Sequence, residues 1–115
     1  MEVLGGVLQG LLAAAFLMAG LGKIFGAEMH KKNFDHWRLP QWFRVVTGLV
    51  ETVAAGLLIV GYWQYTALLA GAWLLVATGF GGVFTHIRVK DSFKDTLTIA
   101  VLGILAIILL VIATG

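Results

Sequence analysis

The chain has 115 residues, 60% of them hydrophobic and 12% charged, where soluble domains average about 45–50% apolar and about 25% charged. An ordinary soluble globular domain is excluded. The formal charge is only +2 and there is no cysteine, which excludes disulfides, thiol exchange, iron–sulfur clusters and cysteine zinc sites; the basic residues flank apolar runs, the pattern of membrane topology and not of nucleic-acid binding.

Charged residues fall at Glu2, from Lys23 to Glu51, and from Arg88 to Asp95, leaving three long charge-free stretches. A bilayer core about 30 Å thick takes about 20 helical residues. The outer stretches therefore hold one span each, and the middle one holds most of two. The expected fold is all-α: a polytopic membrane protein, a four-transmembrane-helix bundle in a single domain over 1–115. Its spans are placed at about 3–25, 41–60, 66–85 and 96–113, with an interfacial loop at 26–40. The polar interval from Lys23 to Arg44 is too short to bury a core of its own. Met1-Glu2 lacks the basic start of a secretory signal peptide, although Ala13-Ala14-Ala15 loosely fits a cleavage site.

In span one, Gly6, Gly10 and Ala14 share a face and Gly20 and Gly22 lie near the end, a spacing that lets helices approach closely. The segment His30–Arg38 mixes basic and aromatic residues, with Phe34 and Trp37 three apart. It reads as an interfacial helix on anionic headgroups, with a partner-binding element as the alternative. Leu39-Pro40 opens span two, because proline suits a first helical turn. Gly61-Tyr62-Trp63-Gln64-Tyr65 reads as a tight hairpin whose rings favour the headgroup zone. Span three is rich in Gly and Ala, and its Trp73 reads mainly as a packing residue. Span four, rich in Leu, Ile and Val, is expected to face more lipid. Gly20-Leu21-Gly22-Lys23-Ile24-Phe25 echoes Gly79-Phe80-Gly81-Gly82-Val83-Phe84, which is either a parallel two-helix repeat or chance in a glycine-rich chain; spans two and four show no matching echo.

With four spans, all eight Lys and Arg lie on one side. The positive-inside rule then places loops 26–40 and 86–95 in the cytoplasm and both termini on the non-cytoplasmic side of the cell (plasma/inner) membrane.

Ionisable groups inside a bilayer are costly and mark function. Glu51 lies about 10 Å into span two and shares a face with Arg44 and Gly48. A carboxylate there requires a cation or a proton. Lys23, Arg44, His86 and Arg88 all approach from the same end, so Lys23, Arg44, Glu51, His86 and Arg88 form the candidate intramembrane polar cluster, with Gly6, Gly10, Gly20, Gly22 and Gly48 as packing positions. Such a surplus of positive charge suits an anion, a lipid headgroup or a quinone carbonyl. The alternative is that Glu51 pairs with one basic residue to lock helix register while the others extend to headgroups. Thr47, Thr52, Thr78 and Thr85 are expected to bond back to their own helix carbonyls. No metal site is expected, because His30 and His36 lack ligand spacing and only His86 touches a span. The catalytic residues, if any, are not identified.

Ala19-Gly20-Leu21-Gly22-Lys23, Arg38-Leu39-Pro40-Gln41-Trp42-Phe43-Arg44, Thr47-Gly48-Leu49-Val50-Glu51 and Phe84-Thr85-His86-Ile87-Arg88 together resemble the DoxX-like family of small four-helix membrane proteins. The resemblance covers most of the chain in the expected order. Members include subunits linked to thiosulfate:quinone oxidation, a mycobacterial membrane complex tied to superoxide and thiol defence, and an animal chaperone for nicotinic receptors. The resemblance implies the four-helix fold and the five-residue cluster, and it transfers no single reaction. The expectation is an accessory subunit of a membrane redox or oxidative-stress system, not a self-contained enzyme. It would have no intrinsic cofactor, a pocket for a quinone or anionic amphiphile, and as partners the lipid bilayer, a membrane or peripheral redox protein, and further copies of itself, with no nucleic acid. The alternatives are a scaffold or assembly chaperone and an oligomeric small-metabolite transporter.

Overall fold

The computed structural model describes residues 2–90 and 93–115; positions 91–92 of the expected 86–95 loop lie outside the described residues. The helices are α1 (Glu2–Phe25), α2 (Glu28–His36), α3 (Gln41–Val60), α4 (Tyr65–Arg88) and α5 (Phe93–Thr114). α1, α3, α4 and α5 carry stretches long and apolar enough to cross a bilayer.

The breaks between helices follow from local chemistry. α1 stops at Gly26, whose φ of 77° reverses the chain while the Ala27 amide donates to the Gly22 carbonyl at 2.9 Å, closing the helix end as a left-handed cap does. α2 ends the same way with Arg38 at φ 59° and the Leu39 amide donating to Phe34. Pro40 stands one residue before α3 and not inside its first turn. Its φ of −62° suits a helix but its ψ of 149° is extended, and its carbonyl accepts from the Phe43 and Arg44 amides. Gly61 closes α3, and the Gly61, Trp63 and Gln64 amides turn back onto the Leu57 and Val60 carbonyls, so the hairpin before α4 spends its polar backbone groups locally.

The four long helices form a ring. α1 packs on α3 and α5, and α4 packs on α3 and α5, so among the described residues α1 and α4 sit on one diagonal and α3 and α5 on the other. Leu12, Phe16, Leu58, Leu75 and Leu109 fill the centre at no more than 2% exposure, with Ala54, Ala55, Ala72 and Ala106 between them. Between lipid-solvated helices, close backbone approach is the main source of cohesion, and glycine supplies it. A Cβ on Gly20 would come 2.8 Å from the Gly48 carbonyl oxygen. One on Gly71 would meet the Ala54 carbonyl at 3.0 Å, and one on Gly79 the Gly103 Cα at 2.9 Å. The α1–α3 and α4–α5 pairs thus each close on a glycine pair. α5 turns Leu97, Val101, Ile104, Ile107, Ile108 and Val111 outward.

Two expectations change. Gly6 and Gly10 receive a tyrosine and not a helix: the Tyr62 ring lies against Gly6, its hydroxyl would be 2.9 Å from a Cβ on Gly10, and that hydroxyl donates to the Gly6 carbonyl at 2.6 Å. Gly22 does meet a helix, the short α2, whose His30 imidazole would stand 3.0 Å from a Cβ there. Trp73 is 60% exposed on the outer surface of α4 and packs no core. In each case the helical spacing is present, and the neighbour that meets that face is set by the long-range arrangement.

Candidate functional site at the basic end

Arg44, Gly48 and Glu51 recur at helical spacing along α3, and all three are buried on the face turned to α1. The two helices run antiparallel with Gly20 against Gly48. Helical side chains tilt toward the N-terminus of their own helix, so Lys23 leans inward along α1 while Glu51 leans back toward the basic end along α3. They meet: the Lys23 Nζ lies 2.7 Å from Glu51 Oε1, with the side chains 12% and 4% exposed. That oxygen has no partner within hydrogen-bonding angles, so the contact is an ion pair by distance, approached off-line. Desolvation of both charges is costly, and the pair persists because neither alternative is cheaper in lipid.

Arg44 is 8% exposed. Its Nη1 donates to the Lys23 backbone carbonyl, one of the acceptors left open at the end of α1, where the helix dipole also favours a cation. Its Nε donates to Gln41 Oε1 at 2.8 Å, and Gln41 Nε2 in turn donates to Asp35 Oδ1 at 2.8 Å and to the Lys31 carbonyl at 3.1 Å. A continuous polar chain therefore runs from Glu51 through Lys23, Arg44 and Gln41 to Asp35 on the exposed side of α2. His30 rests on Gly22 beside it. Burial, then the charges of Lys23 and Arg44, hold the His30 imidazole below its usual pKa, which keeps it neutral among cations.

His86 and Arg88 are brought to a different place. The His86 ring meets the edge of Trp37 with centroids 5.1 Å apart, and Arg88 Nη2 donates to the Trp37 carbonyl. Trp37 also packs edge-on against the buried Phe34, whose ring lies 6.5 Å from Phe43. The five candidate residues thus fall into two groups: Lys23, Arg44 and Glu51 between α1 and α3, and His86 with Arg88 where α4 meets the end of α2. The division follows from the ring order, which sets α4 diagonal to α1.

Thr47, Thr52, Thr78 and Thr85 each donate to the carbonyl four residues earlier, at 2.7 to 2.9 Å. Two further polar residues, outside the five-residue cluster, tie helices together. Gln9, 5% exposed, donates from Nε2 to the Leu58 carbonyl at 2.5 Å; its signal was an amide alone in an apolar span. Gln41 is the hub between α2 and Arg44, and its signal was its place directly after Pro40. Away from these groups, Val76, Gly79, Phe80, Gly103, Ile104 and their neighbours line an apolar groove of about 160 Å³ between α4 and α5.

The DoxX-like family is matched over residues 7–111, from the second turn of α1 to the last turn of α5. The chain is 28% identical to the uncharacterized protein YdgD of Bacillus subtilis (strain 168) over 82 residues, which is 70% of this chain and 72% of that protein. No solved structure matches the chain. A match that takes in the ion-paired helices, the α2 segment and the α4–α5 pair together leaves one assignment: this four-span protein belongs to the DoxX-like family.

Proposed function

We propose that this protein is an accessory subunit of a membrane redox or oxidative-stress system. It lies in the cell membrane with loops 26–40 and 86–95 in the cytoplasm, and its basic end receives the headgroup of a quinone-like or anionic amphiphile. The observation that carries this reading is the buried cation left over beside the ion pair: Lys23 is matched by Glu51, while among the described residues the only side chain that Arg44 bonds is the neutral Gln41. A desolvated guanidinium with open donors favours a ligand that brings negative charge or a strong acceptor. Arg44 would hold that oxygen, and the Lys23–Glu51 pair would hold or return a proton beside it. A bound quinone would supply electron-transfer chemistry, and the donor set of Arg44, Lys23 and Glu51 fits its carbonyl oxygen. The sealed centre of Leu12, Phe16, Leu58, Leu75 and Leu109 favours a site reached from one end over passage through a single chain.

A scaffold or assembly role is the second reading. It is favoured by the fact that Lys23, Arg44 and Glu51 all make their contacts within the bundle, as residues that lock helix register do. Native mass spectrometry with lipid and small-molecule identification, on protein extracted gently from its own membrane, tests the choice against Glu51→Gln. A quinone or other discrete metabolite, as distinct from phospholipid, that co-purifies only while Glu51 is intact is the expected result. A bare oligomer, or one holding another protein whatever residue stands at 51, overturns it in favour of the scaffold.

A further inference from the structure

The turn between α1 and α2 gathers charge that the Lys23–Glu51 pair does not use. Gly26 sits there in the left-handed region, at φ 77°. A Cβ placed on it would stand 3.5 Å from Lys31 Nζ and 3.5 Å from Arg44 Nη1, and 2.8 Å from Lys31 Cε. An ammonium and a guanidinium therefore converge over one bare glycine, and His30 lies against the other glycine of the turn, Gly22. Like charges this close repel. Of the nearby acids, Glu51 is engaged by Lys23 and Asp35 by Gln41, and the exposed Glu28 opens the first turn of α2, so Lys31 and Arg44 together still outnumber the one acid left beside them. Arg44 spends Nε on Gln41 and one Nη1 hydrogen on the Lys23 carbonyl, and among the described residues its Nη2 donates to nothing. Lys31 is exposed and free to swing away from Arg44, yet it lies over the glycine.

We infer that this notch, formed by Gly26, His30, Lys31 and Arg44, is a binding site for an anionic phosphate group. A phosphate offers several oxygens to a guanidinium edge and a mobile ammonium at once; Lys31, whose Cε fills the space over Gly26, is an exposed, flexible chain that would swing outward to admit it. The notch stands at the end of a membrane-length helix, the level at which lipid phosphates lie. Its rim is apolar: Phe25 and Met29, the residues just before Gly26 and His30, are 81% and 63% exposed. A phosphate carrying acyl chains would be held at both ends, and a free phosphate at one. The inference deepens the anionic-headgroup branch of the function proposed above and rests on it through Arg44, while depending on neither the redox role nor Glu51.

The test compares the full chain with Lys31→Gln and Lys32→Gln in nanodiscs. Both substitutions remove one exposed lysine from α2, and only Lys31 stands at the notch. One arm measures retention of phosphatidic acid or phosphatidylglycerol against phosphatidylcholine by native mass spectrometry; the other titrates inorganic phosphate in phosphatidylcholine discs. The expected result is anionic lipid binding that falls about tenfold in Lys31→Gln and less than about twofold in Lys32→Gln. The same variant pattern with inorganic phosphate assigns the site to a free anion. Equal losses in the two variants, or binding in neither arm, overturns the site. Glu51→Gln is expected to retain the lipid, so failure of the quinone reading and failure of this one are separable.

Discussion

Gly20 of α1 and Gly48 of α3 lie so close that a Cβ on either would come within 2.8 Å of the other's carbonyl oxygen. This crossing sets the depth at which Lys23 and Glu51 meet, because each lies one helical turn beyond its glycine. A methyl group at Gly48 would also stand 2.9 Å from Lys23 Cβ, and backbone cannot yield as a side-chain tip can. Gly48→Ala should therefore destabilise the bundle by about 1–3 kcal/mol. Gly56→Ala, on the same helix with nothing within 4 Å, should be neutral or stabilising by up to about 1 kcal/mol. Equilibrium unfolding in mixed micelles measures both, and equal effects would remove the crossing as the organising contact.

Breaking the ion pair should cost more from one side than from the other. Lys23→Met leaves Glu51 buried without a cation, at about 3–5 kcal/mol. Glu51→Gln frees a lysine near a helix end, which can extend toward the headgroups, and should cost clearly less. Lys23→Met combined with Glu51→Leu should recover much of the loss, because two apolar side chains need no partner. A double-mutant cycle on unfolding free energy reads all three, and strict additivity would show that the pair is not coupled.

His30 gives the fold a dependence on pH. Burial first, then Lys23 and Arg44, depress its pKa, so as pH falls the unfolded chain takes up the proton before the folded one does. The stability that neutral His30 contributes is full above its ordinary value of 6.5, declines as pH drops from there to the depressed value, and then levels off. Thermal unfolding followed between about pH 8 and about pH 5 should show this slope, and His30→Gln should remove that part of it.

The opposite end of the bundle is tied by two tyrosines. Tyr62 donates to Gly6 and Tyr65 to the Ala113 carbonyl, at 2.6 and 2.7 Å. Tyr62→Phe and Tyr65→Phe should each cost about 0.5–1.5 kcal/mol. Faster amide exchange near Gly6 or near Ala113 should accompany the respective change, and a change at neither end would show that the ties are idle.

Much of this architecture is legible along the chain. Helix rise and bilayer thickness convert charge-free runs into a span count, and the threonines of α3 and α4 bond back because a hydroxyl in lipid finds its nearest carbonyl on its own helix. That Glu51 must face a cation is equally legible, since an unpaired carboxylate is too costly at that depth. Local spacing reports which residues share a face, and it is silent on what meets that face. The choice of Lys23 as the partner of Glu51 came from the antiparallel crossing and the opposed tilt of the two side chains. The separation of His86 and Arg88 from that pair came from the ring order that sets α4 diagonal to α1, and the filling of Gly6 and Gly10 by Tyr62 came from the hairpin that folds back over α1. Each of these is a contact between residues far apart in the chain. Composition and period determine the length, polarity and faces of every helix; only closure of the bundle decides which faces touch, because that depends on how all the helices pack at once.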